Sequence, residues 1–301
     1  MQNILRWNID FFKQRHNQVL FIILLLYVCF WFYGMYYGDF FKSWLRHGNS
    51  IEKFLKEYLA AATIFGGSLM ISCIVRHDFE LLGKKETYIL LVFGAALSPF
   101  IFSNFFYQLI SPITDSSSLG RSNTLKNVFR SLTAAGTITA IWFLFIREKE
   151  ALFPIKRKGL LGYIVLLMCM VPLLWFASKQ PGFIVTYPRV FRAGIPKTDY
   201  SLIAQFEIVY ACSFVIVEWL FRGLFILFFA RVLKEHIILP AACLYFFIHI
   251  NKPELEALSS FFGGTILGIV AYYSKSILGG IVIHIGIALL MEYFAILQIL
   301  W

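Results

Sequence analysis

The chain alternates between long apolar blocks and short polar segments. A helix needs about 20 mostly apolar residues to cross a hydrocarbon core of about 30 Å. Nine blocks approach or exceed that length, so the pattern predicts an all-α, polytopic transmembrane helical bundle with about eight to nine spans. The seventh and eighth blocks are short and could form a broken or re-entrant pair. The predicted spans cover residues 19–37, 59–75, 88–110, 128–146, 160–176, 202–229, 237–250, 258–273 and 277–297.

The composition supports a membrane protein. Hydrophobic residues make up 59% of the chain and charged residues 15%, whereas an average soluble domain has about 25% charged residues. The lipid bilayer is therefore the first expected partner. The formal net charge of +10 comes from Lys and Arg scattered over short loops and helix ends, as is usual at membrane boundaries. We expect no nucleic-acid partner.

Polarity divides the chain into four predicted segments. Residues 1–18 mix basic and aromatic side chains, which is typical of an interfacial helix on lipid headgroups. Residues 19–176 are predicted scaffold transmembrane helices, and residues 177–201 a connecting loop rich in Pro and Gly. Residues 202–301 hold nearly all the polar side chains that interrupt apolar blocks, so these helices are predicted to carry the functional site.

Two glycines predict close helix packing in the eighth span. Gly264 and Gly268 form a small-xxx-small pattern, which lets one helix backbone approach another. We therefore expect this span to lie centrally among the helices.

Ionisable residues inside the apolar blocks mark the candidate site. Glu218 and Arg222 lie four residues apart in one block, so they share a helix face. A charged residue at membrane depth costs at least about 2.5–3.5 kcal/mol and is a functional-site hypothesis by default. His249 and His284 interrupt two later blocks. The three elements together predict one polar site walled by helices.

Each of these residues also has a structural interpretation. The Glu218–Arg222 pair could simply link helices, and His249 could be an interfacial residue at the end of its span. His284 could donate to a backbone carbonyl. The chemical interpretation is peptide hydrolysis, in which a carboxylate activates water, a histidine orients it or moves its proton, and further donors face the oxyanion.

The spacing of these residues resembles the CPBP family of CAAX proteases and bacteriocin-processing enzymes, also called the Abi family. The resemblance rests on Glu-x-x-Phe-Arg-Gly at 218–223, an aromatic-rich helix ending at His249, and a later His284. It implies an intramembrane endopeptidase in a prokaryotic cytoplasmic membrane, acting on a membrane-associated protein or peptide that can be lipidated. It also implies that residues 202–301 form the catalytic core helices. It also implies that Glu218 is the acid/base carboxylate, Arg222 positions it, His249 orients the water and His284 stabilises the oxyanion.

Three positions depart from the family pattern. Val217 stands where the first of two adjacent glutamates is usual, Tyr245 replaces a phenylalanine, and Ala288 replaces an asparagine. Loss of one oxyanion donor costs about 10²–10³-fold in rate in other hydrolases. The alternative function is therefore a catalytically degenerate membrane scaffold or a regulator of another membrane protein, and transport is a third hypothesis.

Lys252, Glu256 and Glu292 are second-tier candidates. Residues 249–256 resemble a His-x-x-Lys-Pro-x-x-Glu stretch of some bacterial members, so Glu256 could supply the absent carboxylate. The alternative is that these residues start the next helix. Glu292 lies about 80° round the helix from His284, so it could reach the same cavity, or it could be an acidic residue near a span end.

A metal is not expected at this site. Two histidines and two glutamates could bind Zn²⁺ in principle, so zinc is not excluded. No H-E-x-x-H pair aligns ligands on one helix, and the resemblance implies a glutamate-activated water. We therefore predict no obligatory cofactor.

Overall fold

The computed structural model describes residues 2–102, 118–146, 151–157, 159–180 and 182–300. The all-α prediction is confirmed, because helices account for 85% of the structure and no strand occurs among these residues. Seven stretches within them are helical, long and apolar enough to cross a membrane, which confirms a polytopic membrane protein. They are Arg15–Tyr36, Ser50–Val75, Leu119–Phe145, Leu160–Ser178, Tyr200–Phe247, Glu254–Ser274 and Leu278–Ile299.

Predicted and observed span boundaries differ by several residues, and three predicted spans have no one-to-one counterpart among the seven stretches. The sixth predicted span, 202–229, and residues 237–247 of the seventh, 237–250, fall in the continuous 48-residue stretch Tyr200–Phe247. The third predicted span, 88–110, coincides with the helix Lys85–Phe102 up to residue 102, and residues 103–110 lie outside the described ranges.

The α-helices are numbered along the described chain. They are α1 Gln2–Lys13, α2 Arg15–Tyr36, α3 Asp39–Arg46, α4 Ser50–Val75, α5 Lys85–Phe102, α6 Leu119–Ile141, α7 Leu160–Ser178, α8 Phe183–Thr186, α9 Arg189–Arg192, α10 Tyr200–Glu218, α11 Ala230–Leu233, α12 Ile238–Phe247, α13 Glu254–Ser274 and α14 Leu278–Leu300. Short 3₁₀ helices cover Phe79–Gly83 and Lys234–Ile237, and π-helical segments cover Trp142–Ile146 and Trp219–Phe228.

The chain forms two compact units, each built from two separate stretches. Gln2–Phe106 and Phe221–Ser276 make up the N-terminal unit. Tyr107–Leu220 and Ile277–Trp301 make up the C-terminal unit. The four segments predicted from polarity are consecutive along the chain, unlike these units. That division stays a prediction.

Side chains cap two of the long helices. The Asn49 side chain accepts the Glu52 N–H at the start of α4, and the Glu52 carboxylate accepts the Asn49 N–H in return. This capping box satisfies two backbone donors that the first turn leaves unpaired. The Asp199 carboxylate accepts the Leu202 N–H at the start of α10. Both helix starts are therefore determined by local sequence.

In the N-terminal unit, α12 packs against both α4 and α13. A Cβ added at Gly264 would lie 3.2 Å from the Ala242 Cα, and one added at Gly268 would lie 3.5 Å from the Ile238 side chain. The small-xxx-small pattern thus brings α13 close to the backbone of α12. This agrees with the packing role predicted for these two glycines.

In the C-terminal unit, α14 packs against α7 and α10, and α10 also packs against α6. Gly279 and Gly286 face α7, because a Cβ at these positions would lie 2.4 Å from Tyr163 and 2.3 Å from Leu167. The glycines let α14 and α7 approach closely. The contact between α14 and α10 brings Glu218 beside His284.

The predicted interfacial segment contains the amphipathic helix α1. Ile4 and Phe11 are buried, whereas Leu5 and Ile9 are exposed. Helix α1 packs against α13 within the N-terminal unit. Its location among lipid headgroups stays a prediction.

Candidate active site

Glu218 is the last residue of α10, and its side chain is fully buried. The backbone continues from there as the π-helical segment Trp219–Phe228. Helices of this type are rare, usually last a single turn, and occur frequently at functional sites. Glu218 therefore stands at a change of helix type in the middle of an apolar sequence.

Glu218 and His284 are directly hydrogen-bonded. The His284 Nδ1 lies 2.8 Å from the Glu218 Oε1, and the imidazole is 13% exposed. An ionised carboxylate can only accept hydrogen bonds, so Nδ1 then carries the hydrogen and Nε2 of the neutral ring carries the lone pair. The Phe214 ring lies 4.4 Å from the imidazole, centre to centre, and restricts its orientation. Helices α10 and α14 thus hold a buried carboxylate–imidazole pair.

Arg222, Tyr245 and His249 form a second cluster, within the N-terminal unit. The Arg222 guanidinium lies 4.6 Å from the Tyr245 ring centre, and the His249 ring lies 4.6 Å from it. The His249 Nδ1 is 2.8 Å from the Tyr245 carbonyl oxygen. A carbonyl only accepts, so Nδ1 donates and Nε2 carries the lone pair of the neutral ring. Tyr245 orients both of the other side chains.

Lys252 and Glu256 pair with each other. Their side chains form an i, i+4 ion pair at 3.1 Å, and the Tyr36 hydroxyl donates to the Lys252 carbonyl at 2.6 Å. Helix α13 begins at Glu254, and an acidic residue in the first turn interacts favourably with the helix dipole. These contacts fit the helix-start interpretation, and a catalytic role for either residue stays a prediction.

Glu292 contacts a loop of the C-terminal unit. Its buried carboxylate accepts the Arg189 N–H at 2.7 Å and the Val190 N–H at 3.3 Å. Glu207 of α10 also interacts with it electrostatically. Glu292 thereby holds the start of α9 against α14. A role for it in catalysis stays a prediction.

A third polar cluster, centred on His236 in the N-terminal unit, was not predicted from the sequence. The His236 ring lies between the Ser72 hydroxyl, at 3.1 Å, and the Asp78 carboxylate, at 3.2 Å. Beside it, Arg76 and Glu235 form an ion pair at 3.5 Å. Ser72 is fully buried, so its hydroxyl is inaccessible to a substrate, and the cluster is a structural link between α4 and the 3₁₀ helix Lys234–Ile237.

The sequence alone does not mark the residues around His236 as a cluster. Arg76, Asp78, Glu235 and His236 all lie at predicted span ends, where polar residues are common. Only their contacts across more than 150 residues of sequence reveal a network.

A known protein family matches the region that contains the Glu218–His284 pair and the cluster of Arg222, Tyr245 and His249. Residues 200–290 match the model of the Type II CAAX prenyl endopeptidase Rce1-like family. The predicted resemblance is confirmed. The match spans less than a third of the chain and includes Glu218, Arg222, His249 and His284. No curated protein and no solved structure matches the chain.

The Rce1-like match supports a CAAX-type intramembrane protease in general, and it implies a lipid bilayer and a peptide substrate as partners. The long apolar helices agree with an integral membrane protein. Among the described residues, no three His, Cys, Asp or Glu side chains are grouped so that they could hold a metal ion. A metal-independent reaction stays a prediction.

Proposed function

We propose that this protein is an intramembrane endopeptidase that hydrolyses a peptide bond in a membrane-associated protein or peptide, with the tail of a prenylated protein as the first candidate substrate. The observation that carries the proposal is the 2.8 Å hydrogen bond between Glu218 and His284. Both residues belong to the region that matches the Rce1-like family. A buried carboxylate that orients an imidazole is a recurrent arrangement for moving protons in hydrolases.

In the proposed reaction His284 is the general base. With its Nδ1 hydrogen on Glu218, its Nε2 takes a proton from water, and the hydroxide oxygen forms a bond to the scissile carbonyl carbon. The imidazolium then gives this proton to the departing amide nitrogen as the carbon–nitrogen bond breaks. The products are a new carboxyl terminus and a new amine, and the Glu218 carboxylate stabilises the imidazolium between the two steps.

This assignment differs from the roles implied by the resemblance. There Glu218 is the acid/base carboxylate itself, and His284 stabilises the oxyanion. Glu218 is fully buried and bonded to His284, whereas His284 is partly exposed. We therefore propose that Glu218 acts through His284.

We propose that Arg222 and His249 serve the same reaction, because the family match includes them. With its Nδ1 hydrogen on the Tyr245 carbonyl, His249 presents an Nε2 lone pair that can accept a hydrogen from water. That fits the water-orienting role expected from the sequence. On the resemblance alone, we also propose the cytoplasmic membrane of a prokaryotic cell as the location.

The alternative is a membrane scaffold that has lost its activity. Two apolar residues favour it, since Val217 and Ala288 stand where a carboxylate and an amide are usual in the family. The Glu218–His284 pair would then serve packing only. The two functions differ in whether the purified protein hydrolyses a peptide bond.

The test is hydrolysis by the purified protein in liposomes. A farnesylated peptide with a CAAX terminus is incubated in H₂¹⁸O, beside the same peptide without the prenyl group. We expect cleavage of the farnesylated peptide and one ¹⁸O atom in the new carboxyl terminus, measured by mass spectrometry. Absence of cleavage across prenylated and unprenylated peptides would favour the scaffold.

A further inference from the structure

Gly280 lies one turn before His284 on α14 and faces the same carboxylate. A Cβ added at Gly280 would lie 1.8 Å from the Glu218 Oε2 and 2.7 Å from its Cδ. Residues at i and i+4 share a helix face. The Glu218 carboxyl group therefore occupies the space that any other side chain at position 280 would fill.

The carboxyl group has little room to give way. The Glu218 side chain is fully buried, and its Oε1 is held by His284 at 2.8 Å. Relieving a 1.8 Å contact requires a shift of more than about 1 Å, enough to stretch a hydrogen bond of this length beyond its normal range. A methyl group at position 280 is therefore expected to displace the Glu218 carboxyl group and weaken its hydrogen bond to His284.

The requirement at this position is for space. Gly280 lies within the regular helix α14 and has no positive φ, so alanine can adopt its backbone conformation. Alanine is also the better helix former in an interior position. An alanine here would be harmless or stabilising unless the Glu218 carboxyl group needs the volume.

We propose that Gly280 is a positioning residue for the general base, a role that rests on the proposed function. Because Gly280 has no side chain, the Glu218 carboxylate fits against α14 at this position. There it forms its hydrogen bond with His284. The segment Gly280-x-x-x-His284 is then one functional pattern, in which the glycine fixes the place of the carboxylate and the histidine carries the proton.

The test replaces Gly280 by alanine and shortens Glu218 in a matched set. The variants are Gly280→Ala, Glu218→Asp and the double variant, with Gly136→Ala as the control, because a Cβ at Gly136 of α6 meets nothing within 4 Å. Each is purified from membranes as the full chain. Thermal unfolding, the ¹⁵N–H signal of the His284 imidazole and, where cleavage occurs, kcat and KM are measured.

We expect Gly280→Ala to lower the Tm, remove the hydrogen-bonded imidazole signal and reduce kcat by about 10²-fold, the usual cost of a misplacement of about 1 Å, with little change in KM. In the Glu218→Asp background the same alanine should lower the Tm only slightly, because the shorter side chain leaves room for a methyl group at position 280. Such coupling is the mark of two groups in contact. Gly136→Ala should leave the Tm, the His284 signal and the kinetics unchanged.

Two outcomes would overturn the proposal. One is a Gly280→Ala variant with the wild-type Tm and the wild-type His284 signal. The other is an equal loss of Tm from this alanine in the wild-type and Glu218→Asp backgrounds. Both readouts are independent of peptide cleavage. Coupling in a protein that cleaves no peptide would support the positioning of Glu218 and reject the proposed function.

Discussion

A buried carboxylate persists in an apolar environment only where hydrogen bonds replace the water that it loses. His284 provides such a bond to Glu218, and the Phe214 ring limits the movement of the imidazole. Glu218 and His284 could be identified from sequence because each interrupts an apolar block. Their contact could not, because 66 residues separate them and nothing in either block specifies the register of α14 against α10.

Removing His284 should destabilise the protein. His284→Ala takes a donor away from a fully buried carboxylate, which typically costs about 1–3 kcal/mol, and more when the group is charged. The measurement is thermal unfolding in detergent. His47→Ala is the control, because His47 is exposed. Equal stability of the two variants would mean that the Glu218–His284 bond contributes nothing to folding.

Removing the Tyr245 ring should loosen the second cluster. Tyr245→Leu deletes the face over which Arg222 lies and against which His249 packs. Loss of a cation–π contact of this kind costs about 0.5–2 kcal/mol. Tyr245→Phe keeps the ring and should cost less. Unfolding temperatures check the order, and a leucine variant as stable as the phenylalanine variant would contradict it.

At the scale of elements, polar side chains connect helix ends that the sequence analysis places in separate loops between predicted spans. Arg76 follows α4 and pairs with Glu235 of the 3₁₀ helix Lys234–Ile237, and the Tyr273 hydroxyl of α13 donates to the same Glu235 at 3.0 Å. The packing role of Gly264 and Gly268 was predictable from their spacing. The role of Gly280 was not, because a glycine does not indicate which neighbour fills its space.

Breaking the Arg76–Glu235 pair should cost more than breaking a surface pair. Glu235→Ala leaves an arginine that is only 11% exposed without this partner, and we expect a loss of about 1–3 kcal/mol, below the value for a fully buried pair. The control is Glu80→Ala, which breaks the exposed Lys84–Glu80 pair and should change stability by less than about 1 kcal/mol. Chemical denaturation of both variants gives the comparison, and equal losses would contradict a structural role for the cluster.

At the scale of the whole molecule, each unit combines two distant stretches of chain. The alternation of apolar and polar segments predicted the all-α membrane fold, because hydropathy alone separates spans from loops. It could not predict which stretches combine. The Rce1-like region, 200–290, contributes Glu218 and His284 to the C-terminal unit and Arg222 and His249 to the N-terminal unit.

This organisation predicts that the C-terminal third does not fold alone. A fragment of residues 200–301 lacks α4, on which α12 packs, and α7, on which α14 packs. We expect it to aggregate or be degraded when it is expressed in membranes, as judged by fluorescence-detected size-exclusion chromatography beside the full chain. A monodisperse fragment with a cooperative unfolding transition would contradict the division into units.

The central claim is that the Glu218–His284 pair drives peptide hydrolysis, and the cleavage rate of Glu218→Gln tests it most directly. The amide keeps the size of the side chain but lacks the negative charge that stabilises the imidazolium, and the equivalent change in a serine protease costs about 10⁴-fold. Glu207→Gln, three turns earlier on α10, is the matched control. We predict a loss of at least about 10³-fold for Glu218→Gln and a near wild-type rate for Glu207→Gln, with both proteins folded. Cleavage by Glu218→Gln at the wild-type rate would contradict the account.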